Sequence, residues 1–599
     1  MTQTLGHFLV NDLLPEDHRS ADPLGKSALT KKLTAIAKQD AHAYVGIVSK
    51  LKRLGDDLST LEGVSVGLDD IAPEYGARDT IMHPAIEAVK HAKTSDEREK
   101  IILSVQDKMM AYTRTHSGSM TQMALSGARG NVPQLMKTVG SPVAAVDHKG
   151  AITPWLIGRS YSEGLTPAEY WVTGNEARIN TIKSSTSVAE PGDLAKILVN
   201  NLYPYVITAN DCGTHNGISA LLSDGHILGR YLAKDIGRHK RNELVTSAVV
   251  TDLKKDHTAA FVRSPMTCEA HEGLCKLCQG LDEKGKPHEI GINAGVRAAQ
   301  ALSEPLTQFA LNAKHGVRVL KGASKELEGL AGVRQMIEVP QSFFNKATLA
   351  DRAGVVNRVA AAPHGGNYVY VGNHEHYVAP HLDVLVHPGQ HVEAGDVLSE
   401  GVPKPDEVVA HKGLGVGRHY LVEALHRLYK KQGVDVDKRH LEILAKADLN
   451  HVQILSHSDA HPELLRGDVV SYEKYRASVG KNLVDVPLVK AQGHTLGKEI
   501  MHFTAGTPLT ASIIDTLKQH GVTHVSISET APDVAFIMKP MTRNPLLSPD
   551  WMARMSHRYL KDSLLKGAHF GDATDFHSTH PIPAYAYGVE FGSGKDGRY

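Results

Sequence analysis

Three of the four cysteines in this 599-residue chain fall within eleven residues, in Cys268-Glu-Ala-His-Glu-Gly-Leu-Cys275-Lys-Leu-Cys278. The fourth, Cys212, stands in Asn-Asp-Cys-Gly-Thr-His. A chain that uses cysteine this sparingly and then groups it points to a thiolate cage rather than to scattered small hydrophobes. Cys275 and Cys278 have the spacing of a knuckle whose backbone amides face the sulfurs, Cys268 approaches from the preceding turn, and Cys212 completes a tetrahedron. Four thiolates suit Zn2+ and leave no open position, so the reading is one structural ion per chain that folds the polypeptide and performs no chemistry. Two disulfides or free buried thiols are the alternatives, and a chain of this length can bury a large core without such staples.

A second chemical grouping lies on a helix. Gln308, Leu311, Asn312 and His315 fall at i, i+3, i+4 and i+7, so one face carries three polar side chains beside an alanine-rich segment. The glycine-bearing tip from Gly316 through Gly322 follows, then a further helical run, which is the shape of a mobile helical hairpin. Ala294 to Leu302 reads as the alanine-rich helix, and Ser303-Glu-Pro as the N-terminal cap of the next one.

The elements that position these groups can be followed along the chain. Thr4 to Pro15 reads as a short strand or helix start, and Lys31 to Leu54 as a helix ending near Gly55. Gly63-Val-Ser-Val-Gly-Leu-Asp-Asp-Ile looks strand-like, and Asp69 and Asp70 read as structural because adjacent strand residues point apart. Asp79 to Thr115 reads as a helical hairpin turned and capped at Thr94-Ser-Asp. Ser126-Gly-Ala-Arg-Gly-Asn is a small-residue turn carrying Arg129, without the lysine pattern of a P-loop. Gly164 to Asn201 is helical in composition, and Pro191-Gly192 should kink or split it. Lys234, Arg238, Lys240 and Arg241 form a small basic cluster that reads as a solvated face. Val355 to Glu400 alternates like strands with Gly-Gly, Pro-Gly and Ala-Gly turns, and Leu414 to Ala447 is helical with a break at Gly433.

Lys plus Arg equals Asp plus Glu at 66 each, so any nucleic-acid contact must come from local patches or partner chains. No apolar run is long enough to span a bilayer and the N-terminus lacks a signal-peptide core, which gives the expectation of a soluble protein in a reducing compartment with no membrane partner. The 35 histidines suggest a metallohydrolase only if an open site such as His-x-x-x-His exists, and no convincing one is found.

In order, Gly63-Val-Ser-Val-Gly-Leu-Asp-Asp, Ser126-Gly-Ala-Arg-Gly-Asn, Glu163-Gly-Leu, Asp211-Cys-Gly-Thr-His, the Cys268 knuckle, Ala298-Ala-Gln-Ala-Leu-Ser-Glu-Pro and Val392-Glu-Ala-Gly-Asp-Val-Leu-Ser-Glu-Gly form a set of landmarks. With them the chain resembles the C-terminal part of the catalytic β′ subunit of multisubunit DNA-dependent RNA polymerases. The resemblance implies a multidomain α+β chain with a bridge helix, a trigger loop, a four-cysteine zinc site and a small β module. Residues 1–75 would be the remainder of the catalytic core and channel entrance, 76–117 a hairpin at the secondary channel rim, and 118–163 the loop region supporting the trigger helix. The bridge helix would occupy 164–205, the zinc-binding and jaw-like region 206–290 and the trigger loop 291–345. The small β module would take 346–410, a helical clamp base 411–480 and a switch or clamp-like region 481–599.

The resemblance also assigns roles. Ala168 to Asn201 looks like the bridge helix, with Val188 and Ala189 near the templating base and Arg178 and Lys196 toward nucleic acid, as Arg129 would be. In the trigger loop, Gln308, Leu311 and Asn312 would meet the incoming nucleoside triphosphate and His315 would act catalytically near the β-phosphate. Leu311 stands where the family has methionine, and Asn312 where it has an arginine aimed at phosphate, so the grip there should be weaker. Pro191 replaces a small polar residue, which makes the bend look built in. The family's aspartate-rich loop that holds catalytic Mg2+ does not occur in the sequence. This resembles the split polymerases of giant bacteriophages, whose Mg2+ would sit on an N-terminal β′-like partner. Other expected partners are β-like chains, DNA template, RNA and nucleoside triphosphates, in the cytoplasm of an infected bacterium or packaged in the virion. The contrasting expectation is a non-catalytic, zinc-stabilised scaffold that binds nucleic acid.

Overall fold

The computed structural model describes residues 4–586 apart from positions 23, 64, 74, 147–151, 187–188, 313–326, 328, 549, 556–559, 572–573, 575, 577–579, 581 and 584–585. It contains helices and small sheets in one α+β chain that divides into two compact units, 1–186 with 311–321, and 187–310 with 322–599.

The first unit is built mainly from helices. Leu5–Leu13 is a helix, not a strand, capped by the Thr4 hydroxyl, which accepts from the His7 amide. The expected helix from Lys31 to Leu54 is two helices, Lys26–Gln39 and Ala41–Glu62. The break is made by Asp40, whose carboxylate accepts from the His42 and Ala43 amides at 2.9 and 3.0 Å. Gly55 lies inside the second helix, because one exposed glycine costs only about 1 kcal/mol against alanine and does not end a helix. The strand expected at 63–71 is absent among the described residues; the segment closes in a short turn, Asp69–Ile71. There the Asp70 carboxylate accepts from the Gly67 and Ser119 amides, each at 2.9 Å, which is the structural role expected for that carboxylate.

The hairpin Tyr75–His91 and Ser95–Thr113 forms as expected, with the Thr94 hydroxyl capping the second helix through the Glu97 amide. Met82, Val89, Ile102 and Met109 from this hairpin pack with Met136 and Val143 as the core of the unit. Arg78, nearly buried, is held between Asp79 and Glu163. The helix Pro167–Thr186 opens with a capping box, in which the Thr166 hydroxyl accepts from the Glu169 amide and the Glu169 carboxylate accepts from the Thr166 amide.

The second unit holds the larger core. Leu194, Ile197, Leu198 and Leu202 place one face of the helix Ala189–Leu202 in it, together with Ala298, Leu302, Leu306, Leu421 and Leu425. Pro191, buried, and Gly192, exposed, both lie within that helix. The residues from Ala294 to Asn312 form one helix with Pro305 inside it, in place of the two helices expected from Ser303-Glu-Pro. Buried Leu302 and Leu306 hold both sides of the proline in the core, and the Tyr429 hydroxyl donates to the Leu302 carbonyl at 2.7 Å, so packing overrides the local signal.

The β module is a four-stranded antiparallel sheet in the order His374–Val378, Asn367–Val371, Gly354–Ala361, His391–Val392, over a core of Val356, Val369, Val378 and Leu398. The helices Pro405–Lys431 and Lys438–Asp448 pack as a hairpin, and Gly433, at φ +81°, makes the turn where a break was expected. The chain then forms a three-stranded sheet ordered Val469–Ser471, His451–Ile454, Val534–Ile537, and a two-stranded one from Val484–Pro487 and His524–Ile527.

Candidate functional site

The cysteine cluster is assembled by short pieces of backbone. Strand Ile207–Ala209 pairs in parallel with Leu274–Cys275 and delivers Cys212 just beyond its end. Gly273 permits that pairing, since a Cβ there would come within 2.1 Å of the Val206 carbonyl oxygen. Cys268 ends the turn Pro265–Thr267, and Cys278 lies in the one-turn helix Lys276–Gln279. All four sulfurs lie within 4.8 Å of one another, and the Cys212 and Cys278 sulfurs are 3.7 Å apart. Tetrahedral zinc with Zn–S bonds of about 2.3 Å requires S···S separations of about 3.8 Å, so the donor set and its spacing fit that ion.

Backbone amides face the sulfurs as the knuckle spacing implies: the Cys275 amide donates to Cys268 Sγ and the Cys278 amide to Cys275 Sγ, both at 3.4 Å. Cys268, Cys275 and Cys278 are buried and Cys212 is half-buried. Hydrogen bonding from its neighbours, Cys268 first, holds the Cys212 thiol well below the ordinary thiol range.

Arg263 was not legible as part of this site. It is wholly buried, and its Nη2 reaches Cys212, Cys278 and Cys275 Sγ at 3.3, 3.5 and 3.6 Å and Asp211 Oδ1 at 2.6 Å. Burial disfavours its charge, yet the Cys278 sulfur and the Asp211 carboxylate hold it protonated beyond the usual arginine range. Asp211 in turn is drawn below the usual carboxylate range, burial opposing and Arg263 prevailing. Nothing in Phe-Val-Arg-Ser-Pro marks this role except a charged residue ending an apolar strand five positions before Cys268. Lys446, also buried, donates to the Cys268 carbonyl at 2.7 Å and ties the cluster to the helix Lys438–Asp448.

The other expected site residues are distributed over both units. In the first unit, Arg129 is exposed in the turn after Ser126, and Arg178 is exposed on Pro167–Thr186. Asn131 to Gly140 forms a short helix and a wide turn; Asn131 accepts from the Gln134 amide at 2.9 Å, and Lys137 pairs with Glu176 at 2.9 Å. In the second unit, Ala189 and Lys196 are exposed on the helix Ala189–Leu202, opposite its core-facing leucines. Gln308 is exposed near the end of Ala294–Asn312, whose backbone includes Leu311 and Asn312. Val188 and His315 lie outside the described residues. The basic cluster is neutralised locally: Lys240 pairs with Asp235 at 3.0 Å, Arg238 with Asp252 at 2.9 Å, and Arg241 donates to the Gly213 and Thr214 carbonyls.

Residues 164–363 and 367–528 match the family model described as RNA polymerase Rpb1, domain 5, which is more than half of the chain. Among curated relatives, the DNA-directed RNA polymerase subunit beta' of Clavibacter michiganensis subsp. michiganensis is 28% identical over 522 residues, covering 79% of this chain and 39% of the relative. The subunit of that name from Moorella thermoacetica is 28% identical over 485 residues, covering 74% and 41%, and that from Heliobacterium modesticaldum is 26% identical over 520 residues, covering 79% and 44%. The chain thus spans about two fifths of the length of these relatives. With more than half of its residues matched, it belongs to the RNA polymerase Rpb1 domain 5 family, as a polypeptide similar to the C-terminal part of bacterial β′ subunits.

Proposed function

We propose that this chain is the part of a DNA-directed RNA polymerase that supplies the bridge helix and trigger loop for nucleotidyl transfer. The observation that carries the reading is the family match, which begins at residue 164 and runs through both Ala168 to Asn201 and Ala294 to Glu338. In the reaction an RNA 3′-hydroxyl attacks the α-phosphorus of a nucleoside triphosphate and pyrophosphate leaves. Catalytic Mg2+ would supply charge stabilisation for both oxygens when bound, from aspartates outside these 599 residues. We place those aspartates on an N-terminal β′-like partner, with β-like chains completing the complex, as in the split enzymes of giant bacteriophages.

The work assigned to this chain is positioning. Folding of the trigger helix brings Gln308, Leu311 and His315 against the substrate, excludes water and aligns the phosphorus for attack. Asn312, lacking the charge of an arginine, holds the triphosphate only through its amide. Free imidazole ionises near neutrality, so a histidine at 315 could give a proton or a positive charge to the departing pyrophosphate. Arg129, Arg178 and Lys196 offer exposed cations to nucleic-acid phosphates, and Val188 with Ala189 lies near the templating base. The four cysteines hold one tightly bound structural Zn2+, fixing the 206–290 region. No described helix is long and apolar enough to cross a membrane, and the reading involves none. The site of action would be the cytoplasm of an infected bacterium or a virion carrying the complex.

Asn312 favours a second reading, a scaffold that binds nucleic acid without catalytic participation. Affinity purification of the chain from its source, followed by mass spectrometry and transcription assays, tests the proposal. A companion bearing the aspartate triad and RNA synthesis that is lost on deletion of Gly316 through Gly322 would support it. Full RNA synthesis by the deletion variant would leave the scaffold reading in its place.

A further inference from the structure

Two histidines and an aspartate far apart in sequence converge at the second unit's helical hairpin. His226 Nε2 and His426 Nε2 each lie 3.1 Å from the same atom, Asp435 Oδ1. The two imidazole rings are 5.0 Å apart and perpendicular, at 88°. We propose that these three side chains form a second metal site, separate from the cysteine cluster, which takes a divalent ion of the zinc class through two imidazoles and one carboxylate.

The geometry is close to that of such a site. Zinc bonds of about 2.0–2.1 Å to nitrogen or oxygen set tetrahedral ligand atoms about 3.3–3.4 Å apart, so the two nitrogen–oxygen separations need open by only a few tenths of an ångström, and all three ligand atoms already lie within 4.8 Å of one another. The imidazole side chains are 17% and 10% exposed and the Asp435 side chain 67%, so packing fixes the nitrogens while the carboxylate faces solvent, where an ion enters. Three ligands leave a position for water. Imidazole with carboxylate suits zinc and its neighbours, and a hard cation such as Mg2+ would prefer all-oxygen ligands.

The surroundings hold the ligands in place. Asp224 accepts from the His226 amide at 3.0 Å and caps the turn Gly225–Ile227. Arg230 donates to the His226 carbonyl at 2.9 Å and is itself clamped by Glu442. Lys438 bridges Asp224 and Glu423 at 3.0 and 2.7 Å, so that nearby cation is already engaged by other carboxylates. The turn at Gly433 brings Asp435 back beside His426, which lies in the last turns of Pro405–Lys431. His226, Asp224, Glu423 and Lys438 also line a cavity of about 230 Å³, which gives space beside the ligands. A bound ion would tie the turn at 225–227 to the helical hairpin and rigidify that connection. The bland alternative is two imidazoles donating to one carboxylate oxygen, with no ion.

The full chain, with zinc in its cysteine site, is titrated with Zn2+ and analysed by elemental mass spectrometry after dialysis, and in parallel with Co2+ by absorption. The expected result is a second metal per chain, with ligand-field bands in the visible and no sulfur charge-transfer band. Asp435→Asn and His226→Gln should each return the stoichiometry to one, leaving the circular dichroism and the thiolate-bound zinc unchanged. The control His457→Gln, at an exposed histidine beside Asp459, should leave the second metal in place. Wild-type protein that never exceeds one metal, or a second metal unaffected by Asp435→Asn and His226→Gln, would overturn the proposal. Neither outcome bears on the polymerase reading, which rests on other residues.

Discussion

Replacing Arg263 by methionine probes the proposed zinc site without touching a ligand. The guanidinium is wholly buried and reaches three cysteine sulfurs at 3.3–3.6 Å and Asp211 at 2.6 Å. Four thiolates around a divalent ion leave a net charge of about −2. One unit charge facing another at about 4 Å is worth about 4 kcal/mol at an effective dielectric of 20. Burial of the guanidinium opposes that attraction, and changes in groups that contact metal ligands lower affinity by about 10–100-fold. The expected loss is therefore about 1.4–2.8 kcal/mol of zinc affinity, smaller than the bare Coulomb figure because desolvation offsets part of it. Competition with a chromophoric chelator measures it, since zinc transfer is read directly as absorbance. Arg263→Lys keeps the charge without the planar fork and should fall between wild type and Arg263→Met. If Arg263→Met holds zinc as tightly as wild type, the arginine does not stabilise the thiolates and the electrostatic argument fails.

Two further expectations concern stability. Arg230 and Glu442, both buried, form paired hydrogen bonds at 2.5 and 2.9 Å, with Ser264 also donating to Glu442. Arg230→Met leaves a buried carboxylate without its cation and should lower unfolding stability by about 3–5 kcal/mol in a urea titration; a change below about 1 kcal/mol would contradict the pairing. Burial, reinforced by His419 and His520, pushes His502 down to about 4. The folded chain then keeps this imidazole neutral where the unfolded chain, titrating near about 6.5, is protonated, so stability present above about pH 6.5 declines as pH falls toward about 4. Its half-buried position limits the contribution to the order of 1–3 kcal/mol. His502→Phe should flatten that part of the pH profile, and an unchanged slope would count against it.

What the sequence disclosed was local. The cysteine cage was legible because its knuckle lies within a few residues, and the β module because its strands alternate between glycine turns. Thr94 and Gly433 marked their turns through chemistry confined to one or two residues. Ser303-Glu-Pro misled for the same reason: it carries a capping signal, but buried Leu302 and Leu306 keep the helix continuous through Pro305. Gly55 and the 63–71 segment show the same limit, since Asp40 and Asp70 set the breaks through hydrogen bonds that propensity does not record. Arg263 and the group of His226, His426 and Asp435 were invisible because their partners meet only in the folded chain. Among 35 histidines, no spacing distinguishes residues 226 and 426, which are brought together by the approach of a turn to a helix.

On the proposed function, this chain would supply the moving elements that press the substrate into place. The most direct measurement is the rate of single-nucleotide addition by the assembled polymerase carrying His315→Ala, taken at saturating nucleoside triphosphate so that binding does not limit it. If His315 acts as proposed, the rate falls at least about tenfold below wild type, the scale of a lost acid–base or positioning group. A rate equal to wild type would contradict the proposal.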